Sequence, residues 1–514
     1  MLAAATPARA ATVVSAGPTP DPGDGRTARG FAVTFSPDGD GRNDAVVVRV
    51  RGTRGERFHL VASTAGILGS EVPSGRGSGA AVGPDGTATL RWAGRDGRRL
   101  LSDGPYVLRV CGDSGTCLPT RIAAHLRNLA VSIRSPNGFA AGAAVPLDIA
   151  ADVPEVAIGI ASDTAEPGAP LVARTTAAPG RLSYRLPDDL APGLYRLIVT
   201  TSRPTGWRAL PLVVHGVDLG HPAPGTTLVV LPRFTWSVYN RHDADRDGLP
   251  DSHYTTPSSQ VTRLDAPYET PGMTAPGRAG REQDASHTAG FTRTWQLLGG
   301  PTRLPSQFVT DAELERLPAE VVRRYAAMLV LGHAEYSTRR LFERIRGYQL
   351  AGGDFLYTSA NGFYALVERR GGGVRLIARP YRTTDVNDAL VTGVQYSGCC
   401  WSVGSPGPLL VTREGIRRAP WVFRGTGLRA GDVLTYAGGE IDGFGPQAPP
   451  GMLALAEIAW RAPDPPQSAA MVLLRRPGGG RVFAGGTMGL IGGAARNATL
   501  RRVLGNVWVE FARR

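Results

Sequence analysis

Three short runs in the last three-fifths of the chain, Ala326-Ala-Met-Leu-Val-Leu-Gly332, Asp354-Phe-Leu-Tyr-Thr-Ser359 and Asp432-Val-Leu-Thr-Tyr436, are mostly apolar and do not alternate with polar residues. A strand with one wet face alternates, so these runs predict strands covered on both faces, as in a parallel sheet. Between the first two, Thr338 to Leu350 carries Leu341, Ile345 and Tyr348 at helical spacing, and Gly352-Gly353 ends the helix. Upstream, Leu228-Val-Val-Leu231 and the helix-like Thr292 to Leu298 add another unit, and Asp311-Ala-Glu-Leu-Glu315 starts a helix with acidic residues suited to its N-terminal dipole. The order predicts one α/β Rossmann-like domain over residues 217–514. Each apolar run is followed by a polar group: His333-Ala-Glu-Tyr336, Asn361-Gly-Phe-Tyr364 and Gly439-Glu440-Ile-Asp442. A parallel sheet would gather all three at one edge, where open α/β sheets place their sites.

These residues carry a family resemblance. The run Val229-Val-Leu-Pro-Arg-Phe-Thr-Trp236-Ser-Val-Tyr239-Asn240, the segment Asp311 to Pro318, and then His333-Ala-Glu-Tyr336, Gly352-Gly353, Asn361-Gly-Phe-Tyr364 and Gly439-Glu440-Ile-Asp442 occur in order. Together they resemble the C-terminal domain of the large (beta) subunit of N,N-dimethylformamidase, over most of residues 217–514. The resemblance implies a glutamine-amidotransferase-like α/β fold and an amidohydrolase with one iron held by Tyr336, Tyr364 and Glu440. It also implies a histidine just before the glutamate, where this chain has Gly438 and Gly439. The alternative class is a non-catalytic surface protein that binds cell-wall or extracellular glycan on the same scaffold.

The chemistry of the three residues agrees with the implied metal. Phenolates and a carboxylate are hard oxygen donors, which suit ferric iron better than zinc, whose sites favour nitrogen and sulfur. Three protein ligands leave open positions, where an ion can polarise an amide carbonyl and acidify a bound water. His333 and Glu335 flank the first tyrosine as candidate proton carriers. Trp236, Tyr239, Asn240 and Asn361 are the candidate substrate-binding residues. The turns Gly332 to Tyr336 and Ser359 to Gly362 hold no cysteine, and the chain lacks a Gly-x-Ser-x-Gly elbow, a P-loop and a His-Glu-x-x-His run. Thiol and serine hydrolysis are therefore poor fits.

A second signal is acidic. Asp243, Asp245 and Asp247 alternate, Gly248 permits a tight turn, and Asp251 follows, the spacing of short calcium loops, with the Leu249 carbonyl as a further donor. Near the start, Asp38, Asp40 and Asp44 form a shorter version, read either as a weaker calcium loop or as a polar turn. Alternating stretches with Gly/Pro turns around it predict an immunoglobulin-like sandwich over 28–126, and a second sandwich over 127–216. The chain is thus expected to be multidomain. Residues 255–289 show little apolar periodicity and read as a surface loop or a lid.

Net charge is +13, carried by 57 basic residues that are all arginine. They are scattered, without the basic helix or aromatic-interleaved stripe of a nucleic-acid binder. The alanine-rich start, with Ala8-Arg-Ala10, reads as the remnant of an export signal, so residues 1–27 are assigned to leader and linker. Cys111 and Cys117 bracket a turn and are spaced to pair, while the adjacent Cys399 and Cys400 form either a vicinal disulfide or two thiols. These features point to a secreted or cell-surface protein. No run is long and apolar enough to span a membrane. A homo-oligomer and a small partner subunit are both compatible with the chain.

Overall fold

A computed structural model describes residues 11–513 apart from 19–25, 28–29, 38–42, 66–70, 102–103, 152, 163–170, 203–206, 217, 241, 244–250, 252–260, 268–303, 402–406 and 460–467. The chain begins with two β-sandwiches. In the first, a three-stranded sheet (Thr12–Pro18, Val46–Arg51, Thr87–Trp92) faces a six-stranded one that includes Gly30–Phe35, Ile122–Leu126 and Gly104–Gly112. Val46, Val48 and Val50 point inward between outward Val47 and Arg49, the period-two pattern that lets one face bury while the other stays wet. Trp92 fills the centre, with its ring 5.3 Å from both Phe35 and Tyr106. Thr12–Pro18 lies in the stretch expected to be leader and linker, yet it pairs with Val46–Arg51 and buries Val13 and Ala16. Cys111 and Cys117 are disulfide-bonded, as their spacing predicted.

The second sandwich packs Leu129–Ile133, Ala144–Ala151 and Gly180–Arg185 against a five-stranded sheet containing Val156–Ser162, Gly193–Thr200 and Trp207–His215. Its interior opens into the C-terminal region. Leu147, Ile158, Leu210 and Leu212 belong to the same continuous apolar core as Val229, Leu231, Trp236 and Phe308. Polar clasps join the two parts: Thr310 Oγ1 donates to the Pro136 carbonyl at 2.9 Å, and the Gly138 amide donates to Glu313 at 3.1 Å.

Strands from Thr227 onward are numbered β1 (Thr227–Leu231), β2 (Val261–Arg263), β3 (Ser306–Thr310), β4 (Ala327–Val330), β5 (Tyr336–Thr338), β6 (Asp354–Tyr357), β7 (Ala365–Arg370), β8 (Gly373–Ala378), β9 (Gln395–Trp401), β10 (Pro408–Val411), β11 (Val433–Tyr436), β12 (Gly439–Gly443), β13 (Leu453–Ala459), β14 (Ser468–Arg475) and β15 (Arg481–Ala484). The main sheet has the order β3-β1-β4-β6-β15-β14-β13-β10-β11. Its faces are both covered, which is why its strands read as unbroken apolar runs. Leu228 and Val230 face the helix Arg339–Leu350, while Val229 and Leu231 face the C-terminal helix Ala498–Phe511. The first of these helices starts where the sequence places it, because the Thr338 hydroxyl accepts the Leu341 amide at 3.0 Å.

The expected Rossmann-like, glutamine-amidotransferase-like α/β domain is not what forms. Strand outweighs helix in the chain, 47% to 14%, and no clear Rossmann α/β fold results. In the main sheet the pairings around β1, β4 and β6 are parallel, whereas β15-β14, β14-β13, β13-β10 and β10-β11 are antiparallel. The physical reason is that an apolar run reports coverage of both faces and not strand direction. The run Asp432 to Tyr436 illustrates it: β11 is an antiparallel edge strand whose Val433 and Tyr436 are exposed. A four-stranded sheet (β2-β8-β7-β5) and a two-stranded ribbon (β9-β12) complete the region. The helix-like stretch Thr292 to Leu298 and most of the 255–289 excursion lie outside the described residues. No helix among the described residues is long and apolar enough to cross a membrane.

One buried ion pair ties the main sheet to the last helix. Asp354, fully buried, accepts the Arg481 amide at 2.7 Å and the Arg481 guanidinium at 3.1 and 2.5 Å, and Arg481 also donates to the Glu510 carbonyl at 3.0 Å. Removing Asp354 takes away the buried charge that Arg481 meets and leaves it the partly exposed Glu510 carboxylate, 3.3 Å away. Asp354→Ala is expected to cost about 3–5 kcal/mol of stability, measured by urea denaturation; a loss below about 1 kcal/mol would show that water reaches Arg481.

Candidate functional site

A cluster of buried polar side chains gathers where β5, the turn after β6 and the ribbon β9-β12 meet. His333, Glu335 and Tyr336 come from the turn after β4 and the start of β5, and the Tyr336 amide is fixed by the Thr235 hydroxyl at 3.1 Å. Tyr364 comes from a turn with unusual backbone: Asn361 and Phe363 both have positive φ, 53° and 60°, a region costly for residues with a Cβ. Three hydrogen bonds hold that turn open. The Asn361 amide donates to Asp442 at 2.7 Å, the Phe363 amide to the Ala334 carbonyl at 2.8 Å and the Ala365 amide to the Glu335 carbonyl at 3.0 Å.

Glu440 and Asp442 sit on β12, two residues apart and therefore on one face of the strand. They do not follow a parallel strand, as the sequence suggested. Instead β12 is held between β9 and the segment after β15, with the Asp442 amide donating to Gly486 and the Met488 amide to Glu440, both at 3.0 Å. The residue before Glu440 is glycine for a steric reason: Gly439 has φ +70°, and a Cβ there would stand 3.0 Å from the Met488 Cβ. A histidine at that position would be strained, with its Cβ crowding Met488 in a left-handed backbone conformation.

Another imidazole occupies the neighbourhood. His333 Nε2 stands 2.7 Å from Glu440 Oε2, close enough for strong attraction but outside hydrogen-bond geometry. Both ring nitrogens of His333, Oε2 of Glu440 and Oδ1 of Asn361 are buried without a hydrogen-bond partner among the described residues. Glu335 is better satisfied, since the Tyr239 hydroxyl donates to its Oε2 at 2.5 Å and Arg379 stands 3.8 Å from its Oε1. The same Arg379 donates to the Tyr336 hydroxyl at 3.3 Å.

The electrostatics follow from this crowding. Burial pushes the Glu335 carboxyl up to about 7, reinforced by Glu440 and opposed by His333, the Tyr239 hydrogen bond and Arg379. Burial also drives Asp442 well above the usual carboxylate range, against the Asn361 amide bond. For His333, burial disfavours the imidazolium, but the charge of Glu440, with Glu335 and Asp442 behind it, more than reverses this and raises its pKa. The Tyr364 phenol is raised by burial, with Arg382 and Arg379 pulling the other way.

The structure brings together His333, Glu335, Tyr336, Glu440, Tyr239 and Asn361, with Tyr364 beside them. It does not bring in Trp236, which faces the apolar core shared with the second sandwich, or Asn240, which donates to the Pro267 carbonyl at 2.7 Å beside a separate recess. Of the acidic loop, Asp245 and Asp247 lie outside the described residues. Asp243 is buried 3.1 Å from His125 of the first sandwich, and the Asp251 amide closes the stem on His242 at 2.8 Å. Asp38 and Asp40 also lie outside the described residues, and Asp44 is partly exposed. Among the described residues no three His, Cys, Asp or Glu side chains are grouped to hold a metal by themselves. Sequence reasoning missed Arg379, Tyr396 and Asp442 as members of the cluster. Arg379 and Tyr396 lie in segments with no motif of their own, whereas Asp442 stands in the Gly439 to Asp442 motif.

Comparison with known proteins agrees with the motifs. Residues 177–499 match the family model described as N,N-dimethylformamidase beta subunit-like, C-terminal. The chain belongs to this family. The dimethylformamidase-like match begins inside the second sandwich, upstream of position 217. No curated protein matches the chain. Among solved structures, dimeric latent PorU from Porphyromonas gingivalis aligns over 40% of this chain and 20% of its own length, at 11% identity and a TM-score of 0.15, a likeness too slight to bear on fold or function.

The Glu335 shift gives a pH prediction for this dimethylformamidase-like region. A carboxyl whose folded pKa exceeds its unfolded value contributes stability that is complete below the unfolded pKa, near 4.5, and lost as pH rises through about 7. Glu335→Gln keeps an acceptor for Tyr239 and removes this loss. In chelator-treated protein the variant is expected to match wild type near about pH 4 and to exceed it near about pH 8. Denaturant midpoints across that range measure it, and parallel curves for the two proteins count against the burial argument.

Proposed function

We propose that the C-terminal region hydrolyses the C–N bond of a small amide at a single iron held by Tyr336, Tyr364 and Glu440. The observation that carries this reading is the set of buried, unsatisfied atoms around Glu440. Three carboxylates, Glu335, Glu440 and Asp442, are buried together, and among the described residues the cationic groups seen against them are His333, 2.7 Å from Glu440, and Arg379, 3.8 Å from Glu335. A cation at Glu440 relieves that imbalance. The donors fit a hard ion: two phenols and a carboxylate, with the raised pKa of Tyr364 implying that the phenol ionises only against strong positive charge.

When bound, iron supplies a Lewis acid for the amide carbonyl and for an attacking water. The chain's own residues supply the proton handling. Glu335, poised near neutrality and oriented by the Tyr239 hydroxyl, is placed to take a proton from water and return it to the leaving amine. Arg379 holds the Tyr336 oxygen in place through its N–H. His333, against Glu440, provides the imidazole that the glycines 438 and 439 do not. The Cys111–Cys117 disulfide supports a secreted or cell-surface setting, and the acidic loop 243–251 is read as a structural calcium loop on its spacing.

Purified protein is expected to carry about one iron per chain, with a visible tyrosinate-to-iron absorption band, and to hydrolyse members of a panel of small formamides. Glu440→Ala is expected to lower iron affinity by more than the ~10–100-fold typical of losing an outer partner of a ligand, and to abolish turnover. A colourless wild-type protein that stays iron-free after reconstitution removes this reading.

A further inference from the structure

The phenols around the cluster divide into two kinds. Tyr239 donates to Glu335, Tyr336 accepts from Arg379, and Tyr325, Tyr348 and Tyr357 donate to backbone carbonyls. Tyr364 and Tyr396 differ: neither hydroxyl makes a hydrogen bond among the described residues, although both rings are half-buried and their centroids lie 4.7 Å apart.

Tyr396 is held in place by its main chain. Its amide donates to Asp388 Oδ2 at 3.1 Å, and its carbonyl accepts Arg382 Nη2 at 3.2 Å. Asp388 in turn receives the same guanidinium at 2.7 and 3.2 Å and the Gln395 amide nitrogen at 3.2 Å, so the start of β9 is clamped from both sides. Across the ribbon Tyr396 pairs with Asp442. Paired residues of an antiparallel ribbon share a face, and Glu440, two residues from Asp442, shares it too. The charges that bear on the Tyr396 phenol are consistent with this aim: burial raises its pKa first, followed by Glu440, Tyr364, Glu335 and Asp442. Tyr396 thus sits on the cluster's face of the ribbon with its ring against Tyr364, and its hydroxyl makes no hydrogen bond among the described residues.

We propose that Tyr396 is a substrate-contacting residue whose hydroxyl donates a hydrogen bond to the carbonyl oxygen of a small neutral amide. The proposal rests on the amide-hydrolysis reading for its ligand class. Neutrality follows from the surroundings, because Glu335, Glu440 and Asp442 disfavour an anionic substrate at the same mouth. Tyr396 would stabilise the oxygen as negative charge develops on it, which is the role of a positioned donor in acyl transfer.

The test uses the full chain as purified, with N-methylacetamide as the binding probe and N-methylformamide as the substrate. Tyr396→Phe removes only a hydroxyl that has no partner among the described residues, so folding is expected to be unchanged. Probe affinity by NMR titration is expected to weaken about tenfold, and kcat/KM to fall about a hundredfold, while iron content and the tyrosinate band stay at the wild-type level. Tyr364→Phe, by contrast, is expected to lose the band. Unchanged probe affinity in Tyr396→Phe, or a wild type that binds no amide, overturns the proposal. Loss of iron in Tyr396→Phe also overturns it, by making Tyr396 a metal ligand. An iron-free wild type that still binds the probe through Tyr396 upholds this contact while refuting the iron site, so the two readings fail separately.

Discussion

Burying carboxylates is expensive, and this region buries Glu335, Glu440 and Asp442 within one small volume. Each can be retained only by a hydrogen bond, a proton or a positive charge. Asp442 takes an amide from Asn361, and Glu335 takes a hydroxyl from Tyr239 and a proton near neutrality. Glu440 has His333 in contact but no hydrogen bond at Oε2. The folding problem and the functional problem therefore meet at the same atom: whatever satisfies Glu440 also defines what the site does.

The scaffold makes that concentration of charge possible. Covered faces on the main sheet exclude water from β4 and β6, and the strained turn at Asn361–Phe363 is kept open by bonds to β12 and to the segment before β5. The ribbon β9-β12 is the least regular part, with register shifts beside Gly398. It carries both Glu440 and Tyr396, and Cys399 at the shift is disulfide-bonded. Regular sheet thus provides rigidity, and irregular backbone delivers the side chains.

Much of the local structure was legible in the sequence. The helix over Arg339–Leu350 follows from Leu341, Ile345 and Tyr348 and from the Thr338 cap, and the buried strands β4 and β6 follow from their unbroken apolar runs. Sheet direction was not legible, because a strand covered on both faces looks the same in parallel and antiparallel neighbours. That is why the Rossmann-like expectation fails while its individual strands exist. At the site, His333, Glu335 and Tyr336 were adjacent in a motif and so were readable together. Asp442 also stood in a motif, but its position two residues from Glu440 did not reveal that it would be buried against Asn361. Arg379 and Tyr396 were invisible because their membership depends on how β7-β8 and β9 fold back, a long-range property with no local pattern. Trp236 misled for the opposite reason: it stands in the right motif but packs into the core shared with the second sandwich, whereas Tyr239 packs on the other side of the sheet's core.

The continuous core between the second sandwich and the main sheet has a consequence for how the chain behaves as a material. Topology divides the two, but Leu210 and Leu212 of one and Val229 and Phe308 of the other exclude water jointly. Neither can open without exposing its neighbour, so they form a single cooperative unit, whereas the first sandwich closes a core of its own around Trp92. The boundary that matters for evolution by module exchange therefore falls near residue 127 and not at the strand-to-sheet junction near residue 217. A sandwich grafted from another protein onto Thr227 would have to reproduce half of an existing core.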